Sequence, residues 1–246
     1  MSEAPLVEAP LSDMTIVARE VFADLKSNVV GYALAGTAYL VATTLLVVVA
    51  IGLMGLCIAP GLVKQDETLI VIGAVVGMIP YMGLIFAFVW IGFPLMSASL
   101  LRALHAQRTG GDAIGFGSLF AGSGDRTWPI VLFYILSQML IMVGGVFFYI
   151  PGLIAFAVTT FAFPIVVFED ATPVQALQLG WDHVRRNAAW HAGVWILLVP
   201  LFVALEITVI GLLFAFPLLA AYQLIAYRTA FGPNGALTAS AGPRPA

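Results

Sequence analysis

The sequence predicts an all-α integral membrane protein with six transmembrane helices and amphipathic helices on the cytoplasmic side. Hydrophobic residues make up 61% of the 246 residues, and charged residues make up only 9%. A soluble domain has roughly 45–50% apolar and 25% charged residues, so this apolar surplus is too large for a core surrounded by water. We therefore expect lipid to be the solvent for most of the chain.

Six apolar runs define the predicted crossings, because a bilayer core of about 30 Å requires about 20 apolar residues in a helix. They span residues 29–58, 68–93, 129–150, 152–168, 188–205 and 207–227. The fourth run is short, and Pro151 and Gly152 predict a tight hairpin at its start, since together they stop a helix. The fifth and sixth runs form one stretch that is too long for a single crossing, which predicts a turn near Glu206.

Segments 13–28, 94–109 and 172–187 place apolar and charged residues on opposite sides of a helix. We expect these three helices to lie along the cytoplasmic surface. In the third, Thr172 and Gln175 have the spacing of a capping box. The sequence thus predicts one six-helix domain over residues 13–231, between disordered tails at 1–12 and 232–246.

The basic residues predict the orientation, because Lys and Arg near membrane segments stay on the cytoplasmic side. Of the ten basic residues, Lys64 alone falls in a loop on the opposite side of the predicted bilayer. The other nine lie before the first run, in even-numbered loops or after the last run: Arg19, Lys26, Arg102, Arg108, Arg126, Arg185, Arg186, Arg228 and Arg244. This split predicts that both termini are cytoplasmic.

Composition excludes several partners and cofactors. The net charge of −3 gives no basic footprint for a nucleic acid. The single cysteine, Cys57, has no partner for a disulfide or a zinc site. The three histidines are His105, His183 and His191, and we interpret them as interfacial residues rather than metal or haem ligands. No cofactor is expected.

One string has the form of a catalytic motif. Gly122, Ser123, Gly124 and Asp125 read as the Gly-x-Gly-Asp of intramembrane aspartyl proteases. That chemistry requires two aspartates that share a proton across facing helices. Since no second aspartate lies in a predicted crossing, we interpret the string as a polar loop and predict no catalytic residue.

Three polar side chains bear on an intramembrane pathway: Gln138, Glu206 and Gln223. An ionisable residue within a membrane is a functional hypothesis by default, but the predicted turn places Glu206 outside the bilayer core. The two glutamines can line a pathway or form interhelical hydrogen bonds, and we favour the second role. Convergence of the three on a water-accessible cavity would favour transport.

Prolines in the even-numbered crossings suggest an internal repeat. Pro80, Pro164 and Pro217 lie at similar depths, whereas the dipeptide Phe-Pro recurs at 93–94, 163–164 and 216–217. The two registers disagree for the first hairpin. Since kinking prolines are common in membrane helices, the sequence leaves the repeat open.

The stretch 161–190 resembles a group of uncharacterised bacterial multi-pass inner-membrane proteins, related to the membrane domain of glycerophosphodiester phosphodiesterases. The residues that carry the resemblance are Pro164, Glu169, Asp170, Ala176, Leu177, Gly180, Arg185 or Arg186, and Asn187. The group often has serine where Gly180 stands. The resemblance implies a bacterial inner membrane, and without a soluble phosphodiesterase domain it implies no enzymatic activity.

The leading hypothesis is a non-enzymatic membrane protein that organises lipids or partner proteins through its cytoplasmic face. The residues predicted to make these contacts are Arg102, Arg108, Glu169, Asp170, Arg185, Arg186 and Asn187. We expect the acidic pair among them to act as a structural clamp near the helix that carries the last two arginines. Gly73 and Gly77 permit close helix packing, within the chain or in a homo-oligomer.

Two alternatives remain open at this point. The first is a small-solute transporter or channel. The second is an enzyme acting on lipids, which would require an active site around Glu169 and Asp170.

Overall fold

The computed structural model describes residues 12–122, 124–147 and 149–231. Across these residues the chain is about 90% helical and contains no strand. The α-helices are α1 (Ser12–Ser27), α2 (Val29–Lys64), α3 (Glu67–Ala87), α4 (Phe93–Arg108), α5 (Thr127–Phe147), α6 (Tyr149–Phe168), α7 (Pro173–Arg186), α8 (Ala188–Glu206) and α9 (Val209–Phe231). A π-helical segment, Phe88–Gly92, joins α3 to α4.

Among the described residues, four helical stretches are long and apolar enough to cross a membrane: Val29–Lys64, Glu67–Arg108, Gly124–Val146 and Ile150–Phe168. The described part of the chain is therefore that of a helical membrane protein, as the sequence predicted. The four stretches correspond to the first four predicted crossings, and α8 and α9 correspond to the fifth and sixth. The predicted tails lie outside the described residues, except for Ser12.

The turn between α2 and α3 lies within the predicted loop, but α2 extends beyond the predicted end of the first crossing. α2 continues through Pro60 to Lys64, and Gln65 ends it with a left-handed φ of 52°. The carboxylate of Asp66 then caps α3 by accepting from the backbone N–H of Thr68 at 2.9 Å and of Leu69 at 3.2 Å. A two-residue link with its own cap thus reverses the chain.

The hairpin of α5 and α6 lies close to its predicted place, but the proline is not in the turn. α6 begins at Tyr149, so Pro151 lies in its first turn, where a missing N–H costs no helical hydrogen bond. Gly152 allows the close approach, since a Cβ atom there would lie 2.9 Å from the Cα of Gly145. Between α8 and α9 only Ile207 and Thr208 link the helices, as predicted.

Three helices form the centre of the bundle: α4, α6 and α9. Their buried side chains include Leu100, Ile165 and Ile225, each 0–1% exposed. α7 packs on α6 through Gly180, where a Cβ atom would lie 2.8 Å from the carbonyl oxygen of Val158. The hairpin of α2 and α3 lies at the periphery and leaves most of its apolar side chains exposed.

Candidate functional site

Most of the predicted cytoplasmic contact residues are engaged within the protein. Arg108, at the end of α4, donates from Nη1 to the Oε2 of Glu20 at 2.9 Å and from Nε to the Oδ2 of Asp24 at 2.5 Å. These ion pairs hold α1 against the bundle. Arg108 therefore stabilises the fold rather than presenting a free cation.

The acidic pair at the end of α6 is divided between two partners. Tyr227 of α9 donates its hydroxyl to the carboxylate of Glu169, and Asp170 accepts from Nη1 of Arg126 at 2.8 Å. Arg126 also donates from Nη2 to the carbonyl oxygens of Val166 and Ala171, at 3.1 and 2.8 Å. The sequence counted Arg126 for topology alone and missed this clamp.

The remaining predicted contact residues do not form one patch. Arg102 reaches the carbonyl oxygens of Gly122 and Val167. Arg185 is exposed and lies 4.0 Å from Asp182. Arg186 is half-buried, and the side chain of Asn187 is buried and donates to the carbonyl oxygen of His183 at 3.0 Å.

Two of the three histidines are buried together. The rings of His183 and His191 have their centroids 5.4 Å apart, and Phe161 stacks on His183 at 4.7 Å. Burial lowers the pKa of His183, in α7, to about 4. No group of three potential metal ligands forms in the part of the chain that the structure describes.

Gln138 and Gln223 line the same cavity, which has a volume of about 250 Å³. It lies among α4, α5, α6 and α9. Its polar lining consists of Ser97, Tyr134, Ser137, Gln138, Thr159, Thr160 and Gln223, and the other described lining residues are apolar. Two of the three predicted intramembrane polar residues thus converge. The side chain of Glu206 lies outside the described residues.

The three Phe-Pro dipeptides meet at this cavity. Phe93, Phe163 and Phe216 all line it, and each is followed by a proline of a central helix. A proline has no N–H to donate to the carbonyl group four residues earlier, so each dipeptide loosens its helix beside the cavity. The fold therefore brings together the three Phe-Pro dipeptides, in which Pro94 rather than Pro80 is the proline of the first hairpin.

The hydroxyl groups around the cavity are satisfied mainly by their own helices. Ser97 donates to the carbonyl oxygen of Phe93 at 2.9 Å, and Thr159 and Thr160 donate to that of Phe156 at 3.0 and 2.8 Å. Gln138 forms a hydrogen bond with Tyr134. Ser137 is 3% exposed, and its hydroxyl has no hydrogen-bond partner among the described residues. The cavity therefore offers uncharged donors and acceptors.

No protein-family model, no curated protein and no solved structure matches this chain. The resemblance to the membrane domain of glycerophosphodiester phosphodiesterases stays a prediction.

Proposed function

We propose that the protein crosses the inner membrane of a bacterium six times, through α2, α3, α5, α6, α8 and α9, with both termini cytoplasmic. The split of nine basic residues against Lys64 supports this orientation. The ends of α4, α6 and α9 also gather with α1, through Arg108 and Tyr227, whereas Lys64 precedes the distant α2–α3 turn. α1 and α7 are the cytoplasmic surface helices, and α4 continues the second crossing to the cytoplasmic end at Arg108.

For the activity, we infer a transporter or channel for a small, uncharged polar solute. The convergence of Gln138 and Gln223 on one cavity carries this inference. It takes precedence over the organising role favoured by the sequence, because Arg108, Glu169 and Asp170 are engaged within the fold.

The size and the polarity of the cavity define the class of solute. At about 250 Å³ it is smaller than the roughly 300–1,000 Å³ of pockets that hold drug-sized ligands. A charged solute would be buried without a counter-charge, because the described lining residues carry none. A neutral solute gains hydrogen bonds from the glutamine amides and from the Ser137 hydroxyl.

The helices around the cavity also have the irregularities that gating requires. The π-helical segment ends directly before Phe93, and π-bulges occur frequently at functional sites. Prolines in α6 and α9 place two further weak points beside the cavity. These helices can therefore bend where the solute passes, whereas a regular helix would resist bending.

Solute flux into proteoliposomes tests this proposal, with glycerol and urea as probes and mannitol as a larger one. We expect the double substitution Gln138→Leu and Gln223→Leu to reduce glycerol or urea flux at least tenfold. Gln178→Leu is the matched control, because Gln178 is exposed on α7, and it should leave flux unchanged. Flux of glycerol and urea no faster than in protein-free vesicles would contradict the proposal.

A second candidate function, the organisation of lipids or partner proteins at the cytoplasmic face, is favoured by α7. Trp181 and Val174 are 48% and 56% exposed on this helix, and Arg185 is exposed nearby. Exposed tryptophan and arginine are typical of a helix at a membrane interface. We expect no enzymatic activity in either case.

A further inference from the structure

A second and larger cavity is an apolar groove on the side of the bundle. Its volume is about 790 Å³, and it runs between α2 and the continuous helix formed by the π-helical segment and α4. The α2 side is formed by Ala42, Leu45, Leu46 and Val49. Leu45 and Val49 are also 61% and 45% exposed, so the groove opens on the surface that the proposed bilayer covers.

The groove has one polar end, at the loop before α5. Gly122, Gly124 and Thr127 line that end. The guanidinium group of Arg102 lies beside it, because its Nη1 donates to the carbonyl oxygen of Gly122 at 3.5 Å. The same nitrogen would lie 3.7 Å from a Cβ atom built on Gly124. A cation thus borders the mouth of an otherwise apolar groove.

The hydrogen bonds of Arg102 leave it able to bind an anion. Its hydrogen bonds to the carbonyl oxygens of Gly122 and Val167 are 3.5 and 3.4 Å long, well beyond the usual distance of about 2.9–3.0 Å. A guanidinium group has five N–H donors in a geometry that matches phosphate. No carboxylate of the described residues lies within salt-bridge distance of Arg102, whereas Arg126 is bound to Asp170.

We propose that this groove binds one acyl chain of an anionic phospholipid whose phosphate group is bound by Arg102. Apolar walls that open laterally fit a hydrocarbon chain, and a cation at the polar end fits the phosphodiester of the same molecule. Arg102 is one of the nine basic residues assigned to the cytoplasmic side. The headgroup of the lipid would therefore lie at the cytoplasmic surface, with its acyl chain in the bilayer. This binding is independent of the proposed solute transport.

Native mass spectrometry of the full chain in detergent tests the proposal, with phosphatidylglycerol and phosphatidylcholine supplied in equal amounts. We expect the wild-type protein to retain one phosphatidylglycerol in preference. Arg102→Gln should reduce that retention about fivefold, which corresponds to roughly 1 kcal/mol per basic residue near an anionic surface. Arg102→Lys should restore part of it, and Lys64→Gln, which changes an exposed cation at the α2–α3 turn, should leave it unchanged.

A second experiment tests the groove itself and leaves Arg102 unaltered. Ala42→Phe places a ring in the groove, whereas Val41→Phe places one on the exposed side of the same helix turn. We expect Ala42→Phe alone to lower retention of phosphatidylglycerol. Equal retention of the two lipids by the wild type, equal effects of the two phenylalanine variants, or displacement of the lipid by inorganic phosphate would each overturn the proposal.

Discussion

The α2–α3 hairpin and the central helix α6 have similar apolar sequences but opposite surroundings. In the most apolar 18-residue stretch of α2, 6% of the residues are buried within the protein. In the corresponding stretch of α6, 72% are buried. Hydrophobicity alone does not separate the two, because a lipid tail is as apolar as leucine. Polar clamps at the helix ends distinguish the core from the periphery, because close glycine contacts occur in both, at Gly73 within the hairpin and at Gly180 within the core.

The ends of the two regions are also held in different ways. The hairpin is closed by local bonds, from Asp66 to the first turn of α3. The core is closed by bonds between distant segments, through Arg126 and Arg108. The hairpin is therefore held at its own turn, while the core is held by contacts between distant segments at the ends of its helices.

Replacement of a glycine of α2 that packs against the core gives the largest expected loss of stability. Gly36 packs against the backbone of Leu213 in α9, so that a side chain there would overlap the carbonyl group. We expect Gly36→Leu to cost more than about 4 kcal/mol of the free energy of unfolding, because overlap with backbone forces two helices apart. The measurement is unfolding by SDS titration from a mild detergent.

Gly55 provides the matched control within the same helix. A Cβ atom at Gly55 would have nothing within 4 Å, since this part of α2 faces outwards. Gly55→Leu should therefore leave the free energy of unfolding within about 0.5 kcal/mol of the wild-type value. Equal losses from Gly36→Leu and Gly55→Leu would show that α2 is not anchored to α9 at Gly36.

Much of the fold could be predicted from the sequence because the scarce charges and the turn residues are local signals. Thr172 and Gln175 form the predicted capping box at the start of α7. α2 extends beyond the predicted end of the first crossing, since a hydrophobic helix with its own C-cap at Gln65 continues past Pro60. Periodicity also could not predict the π-helical segment before α4.

The candidate site could be predicted only as a list of residues. Gln138 and Gln223 lie 85 positions apart, and whether they face each other depends on the rotation of α5 and α9, which no local pattern fixes. The repeated Phe-Pro dipeptide was the one available signal. Arg126 was missed because the carbonyl groups that it binds, at Val166 and Ala171, have no signature in the sequence.

Removal of the Arg126 clamp sharpens the comparison between the two regions. Arg126→Gln deletes two charge-assisted bonds to the Val166 and Ala171 carbonyls and the pair with Asp170. We expect a loss of about 3 kcal/mol in the free energy of unfolding, because bonds from a charged donor are worth about 1.5–3 kcal/mol each. The same SDS titration measures it.

Two control variants separate the parts of the clamp. Asp170→Asn should cost under about 1 kcal/mol, because the Asp170 side chain is 99% exposed and solvent screens the pair. Lys64→Gln, at the hairpin turn, should cost nothing measurable. An Asp170→Asn loss as large as that of Arg126→Gln would mean that the ion pair, and not the carbonyl groups, holds α5 to the end of α6.

The smallest expected effect is a dependence of the free energy of unfolding on pH, which arises from a histidine packed against the core. His183 of α7, outside the six proposed crossings, has a native pKa of about 4 because it is buried. An unfolded histidine has a pKa of about 6.5, so below that pH the unfolded state binds a proton that the native state does not. The stabilisation is therefore complete above pH 6.5 and falls by about 2 kcal/mol on going to pH 5.

His183→Phe isolates this contribution, because phenylalanine keeps the stacking on Phe161 and removes the titrating ring. We expect the melting temperature of the wild type in detergent to fall between pH 7.5 and pH 5 by more than that of the variant. His191 stays in place in both proteins, so the difference between the two slopes reports on His183 together with its effect on the neighbouring His191 ring, 5.4 Å away. Equal slopes would mean that His183 is protonated alike in the native and unfolded states, and that the packing of α7 on α6 does not exclude water from its ring.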